Sequence, residues 1–157
     1  MKKKILIALG ILIGITILVL LIVFAGKKTK ANSFDGILES KEFSINNVIK
    51  KYKDKTILRA YEAKKKDNKY SIIYLEFNSS SSADNYFNKE KKKLNDTKAK
   101  DAAINYSITN GLERYTINTS DNHYIVLSKK KNIIIYYDID SKYSEEVINL
   151  VENELGY

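Results

Sequence analysis

The chain has 157 residues, a length that suits one domain with a short appendage, and it contains no cysteine, proline or tryptophan. Without cysteine there are no disulfides, thiolate metal sites or thiol nucleophiles, and no lipid can be attached at a cysteine. The net charge of +8 does not point to nucleic acid. Lys2, Lys3, Lys4, Lys27, Lys28 and Lys30 account for six of the 27 basic residues, leaving 21 against 19 acidic residues in 31–157, whereas a nucleic-acid binder concentrates its basic charge within the folded domain.

Those six lysines flank the run ILIALGILIGITILVLLIVFA, residues Ile5 to Ala25. As a helix the run would be about 31 Å long, matching a hydrocarbon core of ~30 Å. It is longer than the hydrophobic region of a cleaved signal peptide, so it reads as an uncleaved signal anchor. The short lysine-bearing tail before it favours an N-terminus in the cytoplasm and a C-terminal domain outside. Gly10 and Gly14 form a small-x-x-x-small pattern that lets two membrane helices approach closely. The heavy use of Lys, Asn, Ile and Tyr matches A/T-rich codons, as in a low-GC Gram-positive bacterium. Residues 26–39 are polar and read as a tether, so the globular domain is expected over 40–157.

Within that domain, Ile45, Val48, Ile49 and Tyr52 recur at i, i+3, i+4 and i+7, which predicts an amphipathic helix over 43–52. Residues 56–63 predict a strand with Ile57, Arg59, Tyr61 and Ala63 on one face. Lys66-Asp67-Asn68 is a turn signal, and Tyr70–Phe77 returns as a second strand with Ile73, Leu75 and Phe77 together. The serine run 79–82 reads as a helix start, with Ser81 and Asp84 resembling a capping box. That helix would bury Ala83, Phe87 and Leu94 and leave Lys89 and Lys91–Lys93 solvated.

Four strands follow. Ala103–Ile108 places Ile104, Tyr106 and Ile108 on one face. Asn110-Gly111 suits a type I′ turn, whose central positions need φ > 0. Leu112–Asn118 places Tyr115 and Ile117 together. Ser120-Asp121-Asn122 turns again, and His123–Ser128 and Asn132–Asp138 flank a lysine turn at 129–131. The last of these strands, NIIIYYD, is apolar on both faces and reads as central. A final helix starts at Ser144, carries Glu145 and Glu146 at its positive end, buries Val147, Leu150, Val151 and Leu155, and ends at Gly156. The expected class is α+β: an antiparallel sheet with packed helices, in the order α-β-β-α-β-β-β-β-α.

No residue set reads as catalytic, cofactor-binding or metal-ligating. His123 is the only histidine and lies near Asp121, but no nucleophile can be nominated beside it. Asp138 and Asp140 face the same side, with Ser141 following, yet calcium needs more oxygen ligands and a turn glycine. The six glycines form neither G-x-x-x-x-G-K nor G-x-G-x-x-G. The lysine clusters 64–66, 91–93 and 129–131 read as solvated turns or helix faces. The 12 tyrosines suit binding surfaces, and Tyr74 and Tyr136 are expected to be partly exposed. The chain therefore reads as a non-enzymatic module held at the membrane. Its partner would be an envelope protein or a wall polymer, and it would need no cofactor. A membrane-tethered enzyme using His123 or a carboxylate pair, and a cytoplasm-facing regulator, are the alternatives.

Overall fold

The computed structural model describes residues 34–67 and 69–157. The hydrophobic run from Ile5 to Ala25, with Gly10 and Gly14, and the tether as far as residue 33 lie outside the described residues. Among the described residues, no helix is long and apolar enough to cross a membrane.

A short helix α1 (Phe34–Ser40) precedes a seven-stranded antiparallel sheet. Its strands are β1 (Phe43–Asn47), β2 (Ile57–Lys65), β3 (Ser71–Phe77), β4 (Ala103–Thr109), β5 (Leu112–Asn118), β6 (His123–Lys130) and β7 (Ile133–Asp140), in the spatial order β1-β2-β3-β7-β6-β5-β4. Helix α2 (Ser80–Thr97) carries the chain from β3 to the far edge, and α3 (Ser144–Ile148) follows β7. The class is α+β, and β7 is the middle strand, as its two-sided apolar pattern requires.

Two helix assignments change. The segment expected as a helix over 43–52 instead forms β1 and a 3₁₀ turn at Ile49–Lys51. Phe43 and Ile45 alternate with Ser44 and Asn46, and this period of two decides the structure by pairing with β2 from Phe43↔Lys65 to Asn47↔Tyr61. The Asn47 carboxamide then accepts from Ile49 N–H at 3.0 Å and bends the chain. Helix α2 is capped by Ser79, not Ser81: Ser79 Oγ accepts from Ser82 N–H at 3.1 Å. Asp84 is thereby released from capping.

The faces of β2 differ from expectation as well. A bulge at Leu58 lies between the pairs Ile57↔Phe77 and Arg59↔Glu76, so Ile57 joins Ala60 on one side while Tyr61 and Ala63 take the other. Ile57, Ala60, Leu75, Phe77, Tyr115, Ile117, Leu127 and Ile134 form a core with Ala83 and Phe87 of α2. Burying a side chain such as Phe87 contributes about 1.5–3 kcal/mol. Leu94 of α2 is only half-buried against this core.

The opposite face is covered too. Lys129 and Lys130 are neighbours in β6 and so point to opposite sides. Lys129 ion-pairs with Asp84 of α2, while Lys130 Nζ donates to the Gly156 carbonyl at 2.9 Å. Helix α2 and the C-terminal segment therefore lie on opposite faces. Val147, Leu150 and Val151 are buried there, and the last helical turns widen to a π-helix, Asn149–Glu154. Leu155 N–H bonds to the Leu150 carbonyl at 3.0 Å, Leu155 is half-buried, and Gly156 adopts φ 76° as its C′ position asks. Ser144 makes no cap. Asp140 instead accepts from Lys142 N–H at 3.0 Å and caps the 3₁₀ turn, Ser141–Tyr143, that leads into α3.

Two-sided cover also overturns the exposure expected of Tyr74, which is buried. Tyr136, on the other face, is half-buried.

Candidate binding surface

The face beneath α2 holds a groove that none of the sequence motifs announced. Tyr52 arrives at the end of the 3₁₀ turn, where its N–H bonds to the Ile49 carbonyl. Tyr86 and Glu90 are one helical turn apart on α2 and project together. Tyr136 comes from the central strand β7. With Ile73, Leu75, Leu94 and Leu127 these residues line a groove of about 330 Å³. An adjoining opening of about 400 Å³ shares Tyr52 and Tyr86 and is rimmed by Lys51, Lys53, Asp54 and Lys89. The Tyr86 ring is fixed by Phe77, centroid to centroid 5.2 Å, at a tilt of 51°.

The three phenols are held neutral. Burial is the main cause in each case, reinforced by nearby carboxylates. Glu62 and Glu90 raise Tyr52, Glu90 raises Tyr86, and Asp138 and Glu90 raise Tyr136 to about 12. No described group hydrogen-bonds any of the three hydroxyls. Near neutral pH the groove thus offers apolar ring faces, three uncommitted hydroxyls and the Glu90 carboxylate, which sits 3.5 Å from Lys93 Nζ. It offers no phenolate nucleophile. That combination suits recognition of a ligand with both carbon-rich faces and polar edges.

His123 lies outside this groove, at the start of β6. Its partner is Asp138, not Asp121: Nδ1 is 2.9 Å from Asp138 Oδ1, while Asp121 accepts from Thr119 Oγ1. The hydrogen bond and charge of Asp138 raise the imidazole above its ordinary value. The pair is about half exposed on an open stretch of sheet, and no described Ser, Thr or Tyr hydroxyl hydrogen-bonds to the ring. Asp138 and Asp140 share a face as expected, but each has its own partner, Asp140 being 2.7 Å from Lys142 Nζ. Among the described residues, no three His, Asp or Glu side chains are grouped to hold a metal ion.

The lysine clusters divide into separate roles. Lys129, expected in a solvated turn, is buried and joins Asp84 to Glu113. The true turn is Lys131-Asn132, with Lys131 at φ 55°, because β6 and β7 pair as far as Lys130↔Ile133. Lys91 lies over the Tyr106 ring, 4.5 Å from its centroid. Lys65 reaches Glu146 at 3.3 Å and lies over Phe43. Arg114 reaches Glu152 and, at 2.9 Å, the Tyr157 carbonyl, tying the C-terminus to the sheet.

A second surface is the edge strand β4, exposed at every residue. Ile104, Tyr106 and Ile108, expected to share one face, do so, and are 41, 44 and 63 % exposed. The chain matches no protein-family model, no curated protein and no solved structure, so the functional reading rests on these two surfaces and on the sequence.

Proposed function

We propose that this protein is a membrane-anchored, extracytoplasmic and non-enzymatic binding domain whose ligand sits in the tyrosine groove beneath α2. The anchor is the uncharged run from Ile5 to Ala25 with lysines at both ends. The observation that carries the binding role is the convergence of Tyr52, Tyr86 and Tyr136 on one groove, with hydroxyls that no described group engages. Neutral phenols beside apolar side chains fit a hydroxyl- and amide-rich ligand such as a wall polymer, or an extended segment of an envelope protein. The exposed His123–Asp138 pair does not line the groove and, among the described residues, has no nucleophile hydrogen-bonded to it, which weighs against the enzymatic alternative.

Two measurements test this reading. The chain has no native cysteine, so a single Lys100→Cys substitution in an exposed connection reports topology. Labelling of intact cells by a membrane-impermeant maleimide is expected, and labelling only after lysis would favour a cytoplasm-facing regulator. The detergent-solubilised full chain should also co-sediment with purified cell-wall sacculi, and Tyr52→Ala should reduce that binding several-fold. Equal sedimentation of both proteins would remove the groove as the wall-binding site.

A further inference from the structure

We propose that β4 is a self-association strand, pairing antiparallel with β4 of a second copy to join two seven-stranded sheets edge to edge. The inference goes beyond the groove reading and shares with it only the expectation of a membrane anchor.

The backbone supplies the first argument. Strand β4 turns into β5 through Asn110-Gly111, with φ 51° and 76°, and Thr109↔Leu112 closes the two-residue turn. The pair flanking such a turn exchanges hydrogen bonds, and bonded pairs then alternate along the ladder. Ala103, Asn105, Ser107 and Thr109 therefore bond inward to β5, while the N–H and C=O groups of Ile104, Tyr106 and Ile108 point outward from the sheet. Those same three residues carry the exposed apolar side chains.

The sequence supplies the second. Ile104-x-Tyr106-x-Ile108 reads the same in both directions about Tyr106. An antiparallel pairing centred there sets Tyr106 opposite Tyr106, and each Ile108 opposite the Ile104 of the other copy. Such a register is what a two-fold interface requires, because each patch must complement itself. No charged residue lies in AINYSIT, so no like charges meet across the seam. Edge strands that remain single usually carry lysine, proline or a bulge as protection, and β4 has none of these. The opposite edge, β1, is shorter, and its most exposed side chains are Ser44, Asn46 and Asn47. On the α2 side of β4, Lys129 is paired with Asp84 and Glu113, and Lys91 lies over the Tyr106 ring, with Lys92 lining the shallow opening beside Ile104.

A two-fold axis between paired edges runs through the sheet, so both copies present the same face to the same side. Lys41, just after α1, ion-pairs with Glu154 at 2.9 Å, which puts Lys41 on the face that carries the C-terminal segment. Two copies so paired hold Lys41 on the same side of the joined sheet, as two chains anchored in one bilayer require. A single strand pairing buries less than the ~800 Å² per partner of a standard stable interface, so the association depends on the local concentration that a shared membrane provides.

Cysteine cross-linking of the full-length chain in its membrane tests this directly. Residues paired across the seam have Cα atoms about 5.5 Å apart, within disulfide range. Tyr106→Cys should cross-link to itself under mild oxidation. Ile108→Cys alone should cross-link at least tenfold more slowly, because its counterpart lies about 13 Å along the strand. Co-expressed Ile104→Cys and Ile108→Cys chains should cross-link to each other; this keeps Tyr106 in place and guards against a folding defect at that site. Adding Ile108→Lys to Tyr106→Cys should abolish the product. Equal rates at positions 104, 106 and 108, or no product from either Tyr106→Cys or the mixed pair, would overturn the proposal. So would capture of a different, acidic protein by the Tyr106→Cys chain in place of a second copy. Neither sacculus binding nor topology enters this readout, so its failure is separable from failure of the groove.

Discussion

Replacing Lys129 by methionine tests a buried cation that joins α2 to the sheet. Lys129 is 8 % exposed overall, and its ammonium bridges Asp84 on α2 to Glu113 on β5. Methionine keeps most of the apolar stem near Phe87 but removes the charge. Breaking a fully buried pair on one side costs about 3–5 kcal/mol. Here the carboxylates left behind retain 46 % and 23 % side-chain exposure, and Glu113 keeps its 2.8 Å hydrogen bond from the Tyr106 hydroxyl. The expected loss is therefore about 1.5–3 kcal/mol, read from urea unfolding of the full chain in detergent micelles by tyrosine near-UV circular dichroism. A Lys129→Met/Glu113→Gln double variant should recover about half of it, since the more buried of the two stranded carboxylates is gone and only the more exposed Asp84 remains. The pH dependence adds a sign. Burial pushes Glu113 up, but the hydrogen bonds from Lys129 and Tyr106 outweigh it and hold the carboxyl below its ordinary value. Its contribution is present above that ordinary value and is lost as the pH falls through the lower, folded one. The single variant should lose less stability on acidification than the parent chain. A loss under ~0.5 kcal/mol at pH 7, with unchanged acid sensitivity, would show that the bridge has no energetic role.

Three further substitutions probe separate links. Ser79→Ala should cost about 1 kcal/mol by removing the α2 cap; an unchanged urea midpoint would place the cap elsewhere. Gly111→Ala meets no atom within 4 Å but must hold φ 76°, so backbone strain alone should destabilise it by about 1 kcal/mol, with no change in the core tyrosine signals. Asp138→Asn should return the His123 titration, followed by NMR of the single imidazole, from its raised position toward 6.5. Any stability from this pair is present below the ordinary histidine value and is lost as the pH rises through the raised one. An unshifted titration would mean that Asp138 does not hold the ring in solution.

The sheet was legible where one period dominates and turn chemistry fixes the ends. Asn110-Gly111 located the β4–β5 hairpin, and the apolar run 133–137 located the central strand. Two of the differences arise where periodicity fails: two patterns overlie the same residues in 43–52, and one extra residue interrupts the period at Leu58. In 43–52 a helical spacing of Ile45, Val48, Ile49 and Tyr52 overlies an alternation of Phe43 and Ile45. The strand prevails because β2 offers backbone partners across five residues, while a ten-residue helix gains little without packing. At Leu58 one extra residue reverses the facing of those before it, which no local periodicity reveals. The tyrosine groove was illegible for another reason: Tyr52, Tyr86 and Tyr136 come from a turn, a helix and a strand that only the tertiary fold brings together.

The exposure of β4 follows from dimensions, and so its chemistry has a separate meaning from that of the core. Seven strands at ~4.8 Å spacing make a sheet about 29 Å across, whereas one helix with its side chains is about 10–12 Å wide. On its face of the sheet, α2 packs on β3, β6 and β7, near the middle, where the apolar density is greatest. The helix must also return the chain from β3 to the far edge, and that journey leaves the last strand uncovered. Tyr115 and Ile117 on β5 are reached and buried; Ile104 and Ile108, one strand further out, are not. In a monomer these two isoleucines lie outside the core cluster, and polar residues would hold the same hairpin through the same turn. An apolar, uncharged stripe on an open edge is a template for another strand, and a symmetric stripe matches its own copy.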